Sequence, residues 1–148
     1  MASAVMTPEV DAVLKSAAQI AMSWNHHWVG TEHLLLALIG ARAPSGLMTA
    51  SLTYEATEAA VKKATPPLPE REVEWGGVVQ TPRVRNILGI AEGWALAATW
   101  PDQATIDLTS FAFALLREGE GIATQVLVRS GADLPAIISA LAVESRGG

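Results

Sequence analysis

Gly30-Thr31-Glu32-His33-Leu34-Leu35-Leu36-Ala37-Leu38-Ile39 is the stretch on which the reading of this chain turns. Gly30 permits a turn, and Thr31 has the hydroxyl to cap the orphan N–H groups of a following helix. Glu32 falls in the first helical turn, where the helix dipole favours a carboxylate. Six apolar residues follow, too many for one face of an exposed helix, so the pattern predicts a helix buried nearly all round. Thr31, Glu32 and His33 would then form a polar mouth on a helix sunk into the core.

Upstream, Thr7-Pro8-Glu9 is a helix start, with Thr as N-cap and Pro at the first helical position. Val10, Val13, Leu14, Ala17, Ala18 and Ala21 recur at helical spacing, which carries this helix to about Ser23. Trp24 to Val29 reads as a polar–aromatic loop. Downstream of the buried run, Gly40 to Gly46 is a loop, Leu47 and Met48 lie in a short helix, and Thr53 caps a helix from Tyr54 to about Ala64. Pro66, Pro67 and Pro69, with Glu70, Glu72 and Glu74, make an acidic linker that ends at Gly76-Gly77.

The pattern then restarts. Thr81-Pro82-Arg83 repeats the Thr-Pro start 74 positions after Thr7, and Val84, Ile87, Leu88, Ala91 and Ala95 supply the same stripe. Phe111 to Leu116 answers the run from Leu34 to Ile39. Arg117-Glu118-Gly119-Glu120-Gly121 turns the chain into a helix containing Ile122, Val126 and Leu127. Gly131 ends it, and Asp133 with Pro135 starts a last helix to about Val143. The expectation is an all-α fold built from two pseudo-repeats of four helices each, about eight in all, packed as one domain over 1–148. Repeat one covers 7–65, the linker 66–78 and repeat two 79–144.

Composition narrows the function. Half of the 148 residues are hydrophobic and the mean hydropathy is +0.29, so a sizeable core is available. The net charge is −5 and the ten Lys and Arg are scattered, which argues against nucleic acid as partner. With no cysteine, disulfides, thiolate catalysis and Cys-ligated zinc are excluded. The N-terminus has no basic leader, and no apolar run reaches the roughly 18 residues of a membrane span. A soluble, cytoplasmic, monomeric protein is expected. Lys15, Lys62 and Lys63 are the only lysines and none follows a glycine, so the phosphate loop of an ATPase is missing. No Gly-x-Ser-x-Gly occurs either, and no enzyme or cofactor is expected. His26, His27, His33 and Glu32 raise the question of zinc, but they read as structural or capping groups, with no metal.

These residues resemble the N-terminal repeat domain of the Clp (Hsp100) unfoldases, ClpC type. Such domains carry two helical repeats, each with a Thr-Pro-like start, a Gly-Thr-Glu-His-like turn and an Arg-Glu-Gly-Glu-Gly turn. The first half here keeps His26 and Gly30-Thr31-Glu32-His33; the second keeps Thr81-Pro82-Arg83, Arg117-Glu118-Gly119-Glu120-Gly121 and Gly131-Ala132-Asp133-Leu134. Nearly the whole chain is covered. The departures are complementary: Gly40 to Gly46 replaces the first Arg-Glu-Gly-Glu-Gly turn, and Asp107-Leu108-Thr109-Ser110 replaces the second Gly-Thr-Glu-His turn. In the family the ATPase motor lies C-terminal to this domain. The divergent halves and the trailing Arg146-Gly147-Gly148 favour a free-standing protein over an excised piece.

The resemblance implies a non-catalytic domain that binds protein or peptide. It would recognise substrates or adaptors for a Clp ATPase–protease, or regulate that machine in trans. In ClpC-type domains the glutamate of each Gly-Thr-Glu-His turn is associated with the guanidinium of phosphoarginine on substrates. Glu32 keeps that role and Thr109, with no charge, does not. Thr31, Glu32, His33 and Trp28 are the candidate ligand-binding residues, against the plainer reading that Glu32 only satisfies its helix dipole. A second implication is a stand-alone decoy for a cyclic-peptide antibiotic or other small molecule, weakened because Met6 and Gln80 stand where the family has aromatics. Of Trp24, Trp28, Trp75, Trp94 and Trp100, most are expected to pack, with Trp28 and Trp100 exposed in loops.

Overall fold

The computed structural model describes residues 4–41, 53–69, 79–99 and 104–146. It is mostly helical. Helix α1 spans Pro8–Ser23, α2 Thr31–Gly40, α3 Tyr54–Ala64, α4 Pro82–Thr99, α5 Leu108–Glu118, α6 Ile122–Arg129 and α7 Leu134–Arg146. The short helix expected through Leu47 and Met48 lies outside the described residues, as do Trp75 and Trp100. No single helix among the described residues is long and apolar enough to cross a membrane.

The helix starts are made by the expected residues. The Thr7 and Thr81 hydroxyls each accept from the backbone N–H three residues on, at 3.3 Å, with Pro following directly. Thr53 caps α3 the same way at 3.2 Å, and the Asp133 carboxylate caps α7 at 3.2 Å. Gly119, at φ 74°, supplies the left-handed residue that ends α5 and lets the chain turn sharply into α6. The last helix runs beyond the expected Val143 to Arg146.

Two buried helices form the centre. Every residue of α2 from Thr31 to Ile39 is buried, and so is α5 from Ser110 to Leu116. Helix α2 packs on α1, α3 and α6; α5 packs on α4 and α7; α2 and α5 touch each other. The core is therefore continuous through both halves of the chain.

Four two-residue strands were not foreseen. β1 (Val5–Met6) pairs in parallel with β4 (Thr105–Ile106), and β2 (Trp28–Val29) in parallel with β3 (Val79–Gln80). Each pairing ties a segment just before a helix of the first half to one just before a helix of the second. The N-termini of α2 and α4 are thereby held side by side. The stretch from Trp24 to Val29 is consequently no simple loop. Trp24 is the buried C-cap of α1, Asn25 takes a left-handed turn at φ 60°, and Trp28–Val29 is a strand.

Candidate functional site

The cap of α2 differs from the expected one. Gly30, in extended conformation, is the N-cap, and the third helical residue supplies the side-chain acceptor: Gly30 N–H donates to His33 Nδ1 at 2.9 Å. Thr31 caps a different helix. Its Oγ1 accepts from the backbone N–H of Ala123, 92 positions away, at the start of α6. The threonine hydroxyl thus satisfies an orphan donor across the two halves.

The bond from Gly30 fixes both histidine tautomers. A backbone N–H only donates, so His33 Nδ1 is bare and the proton sits on Nε2. His33 Nε2 then donates to His26 Nδ1 at 2.8 Å, and His26 Nε2 donates to the Pro66 carbonyl at 3.0 Å. This one-way chain runs from the start of α2 to the proline segment after α3. Asn25 Nδ2 donates to Leu68 O and Leu68 N to Trp24 O, both at 2.9 Å, which straps the same segment down. Burial, and secondarily His26, lower the His33 pKa from 6.5 to about 4. The 3.9 Å approach of His33 Nδ1 to Glu32 is therefore no ion pair, because that nitrogen carries no proton.

Glu32 is only 2% exposed. Its carboxyl folds back over Gly30, where a Cβ would collide with it, and accepts from its own backbone N–H and from Thr65 Oγ1 at 3.1 Å. Burial raises its pKa; those two hydrogen bonds and the neighbouring His26 oppose the rise. Thr31 and His33 are buried as well, so the three residues are a covered polar cluster and no open mouth. Trp28, expected to be exposed in a loop, is half-buried, its ring stacked on His26 at 4.4 Å and 12°. Trp94 stacks on Phe113.

The cluster does border open space. A pocket of about 250 Å³ is lined by Gly30, Thr31 and Glu32 at the start of α2, Thr81 and Arg83 at the start of α4, and Gly121 and Ile122 at the start of α6, with Glu120 and Gln125 also in its lining. Three helix N-termini meet there, which makes the pocket attractive to anionic groups, while Glu32 supplies a carboxylate. Arg83 donates to Glu118 at 2.7 Å and to Glu120 at 3.4 Å across the rim. Thr65, Thr81, Arg83 and Gly121 were not among the expected site residues; apart from Thr65, they belong to motifs that the sequence does display. The start of α5 has the same layout as that of α2. Asp107 is N-cap and Ser110 the third helical residue, bonded reciprocally, so Thr109 stands at the helical position Glu32 holds in α2.

No group of three or more His, Asp and Glu among the described residues is placed to hold a metal ion. Both ring nitrogens of His26 and of His33 are occupied by hydrogen bonds. Chelation with EDTA is accordingly expected to leave the melting temperature unchanged; a fall would expose a structural metal.

Residues 5–104 match the model of the Clp repeat N-terminal domain. Over 82% of its length the chain is 29% identical to the ATP-binding subunit ClpC of the ATP-dependent Clp protease of Staphylococcus saprophyticus, of which it spans 14%. The N-terminal domain of the Arabidopsis thaliana chaperone ClpD has the same fold, with a TM-score of 0.78, 22% identity, and 97% of this chain and 95% of that one covered. The Hsp104 N-terminal domain of Candida albicans follows at TM-score 0.76 and 16% identity, covering 97% and 92%.

Proposed function

This chain belongs to the Clp repeat N-terminal domain family, and from that premise we propose that it is a non-catalytic, cytoplasmic domain binding protein or peptide, which presents substrates or adaptors to a Clp ATPase or regulates it in trans. The ligand proposed for it is a phosphoarginine side chain. The observation that carries this reading is the pocket where Glu32 lies beside three helix N-termini. A phosphoarginine offers both halves of the match. Its guanidinium fits a carboxylate, which has about four acceptor sites, and only two of those on Glu32 are taken by Thr65 and its own N–H. Its phosphate suits the N-termini of α4 and α6 and the Thr81 hydroxyl.

Calorimetric titration of phosphoarginine into wild type, Glu32→Gln and Thr109→Glu tests it. Glu32→Gln keeps the shape and removes the charge. Losing a charge-assisted bidentate contact should cost roughly 1.5–3 kcal/mol, about one to two decades in affinity. Thr109→Glu places a carboxylate at the matching position of α5 and should strengthen binding. If Glu32 serves only its helix, the substitution should leave binding alone. Identical heats from all three proteins would refute the site.

A further inference from the structure

Around the corner from the Glu32 pocket, α4 and the end of α5 bound an open groove of about 670 Å³. Arg83, Arg85 and Arg117 line it, three of the seven arginines of a chain whose net charge is −5, together with the carboxylates of Glu118 and Glu120. Arg83 is bracketed by Glu118 and Glu120. Arg85 and Arg117 are exposed and have no ion pair or side-chain hydrogen bond among the described residues. Two guanidinium forks therefore face the groove with no carboxylate on them. With three arginines against two glutamates, both of them held by Arg83, the groove is left net positive in an acidic molecule.

The groove's floor is as specific as its charge. Arg85 and Asn86 stand four and three residues before Gly89 on α4, hence on one face with it. A Cβ at Gly89 would meet nothing within 4 Å, so open space lies directly over the helix backbone there. Beside it, half-buried Ile90 gives an apolar strip, and exposed Asn86 offers an amide that both donates and accepts, the complement of a peptide unit. We propose that this groove docks an extended, acidic peptide segment of a partner protein, its main chain along Asn86 and Gly89 and its carboxylates on Arg85 and Arg117. Guanidinium forks pair with carboxylates bidentately. A long polyanion is disfavoured because the whole molecule repels it, whereas a short segment with a few carboxylates meets only the local field. Arg83 and Glu120 border both spaces, but neither Arg85 nor Arg117 lines the Glu32 pocket, so the double reversal and Glu32→Gln test the two sites separately.

The test is fluorescence anisotropy on the full chain. One labelled peptide of about ten residues, which at roughly 3.3 Å per residue reaches along the groove, carries alternating Asp and Glu; its twin carries Asn and Gln. The acidic peptide should bind at least about tenfold more tightly than its twin, and less tightly as salt is raised. Arg85→Glu with Arg117→Glu should weaken it by about tenfold or more, whereas Glu32→Gln should leave it unchanged. Both arginines are exposed, and circular dichroism checks that the double variant folds. Equal affinity for the twin peptides would overturn the proposal, as would binding indifferent to the double reversal. Equal binding of a single-stranded DNA oligomer of the same charge would also overturn it, by showing a surface that takes any anion.

Discussion

Acidification from neutral pH to about pH 4 is expected to cost this protein about 3 kcal/mol through His33 alone. Unfolded, the imidazole takes a proton near pH 6.5; folded, it refuses one until about pH 4. Between those values the unfolded chain binds more protons, so the stabilisation is complete above pH 6.5 and is lost as pH falls toward 4. Burial, and secondarily His26, hold the value down, and the geometry is consistent with it. A second proton on His33 would have to sit on Nδ1, against the Gly30 N–H that now donates to it. Glu32 works in the opposite sense. Burial raises its folded pKa above 4.5, so its contribution is present below that value and is lost as pH rises through the raised one. On acidification it offsets part of the His33 loss. Urea unfolding across this pH range should therefore show a steeper acid loss in Glu32→Gln than in wild type. His33→Leu should flatten the loss while lowering stability at every pH. It strands the Gly30 N–H and His26 Nδ1 without partners, at about 1–3 kcal/mol for each buried polar group. An acid loss that survives unchanged in His33→Leu would assign the titration to another group.

These two residues also mark where sequence reading stops. What was legible is local. Thr7-Pro8, Thr53, Thr81-Pro82 and Asp133 announce helices because a cap and its N–H lie within three residues, and all four hydroxyl or carboxyl caps are made. The runs at Leu34 and Phe111 declare their burial because no exposed helix tolerates so many apolar residues in a row. The site is different. That Thr31 caps α6, that His33 reaches the Pro66 carbonyl through His26, and that Thr65 closes over Glu32 are facts about pairs 92, 40 and 33 positions apart or relayed between them. No periodicity within one chain reports such pairs. The β-pairings are equally silent, because two-residue parallel strands are too short to show alternation. Tertiary contact thus turns an expected open mouth into a covered cluster bordering a pocket.

Gly121→Ala is expected to destabilise the protein by about 2–4 kcal/mol, although its backbone, at φ −86° and ψ 177°, suits any residue. The cost is purely one of space. An added Cβ would meet the Thr31 hydroxyl, with Thr31 Cγ2 at 2.8 Å and Cβ at 3.0 Å. Thr31 has nowhere to retreat: it is buried in the first turn of α2, and its Oγ1 holds the Ala123 N–H at 3.1 Å. Overpacking of this kind costs about 1–3 kcal/mol, and losing the cap adds about 1 kcal/mol. Thr31→Ala alone should cost about 1–2 kcal/mol through the missing cap. The two together should cost less than their sum, by roughly 0.5–3 kcal/mol, because the methyl and hydroxyl that the new Cβ strikes are gone. Urea midpoints of the four proteins in the cycle measure this coupling, and strict additivity would show that α2 and α6 do not touch here. The same contact forms one wall of the Glu32 pocket, shared by Gly30, Thr31 and Gly121. Forcing it apart should also weaken phosphoarginine binding in Gly121→Ala, and Thr31→Ala in that background should restore part of it. A stable Gly121→Ala protein with unchanged affinity would mean that the seam between α2 and α6 is too compliant to shape the pocket.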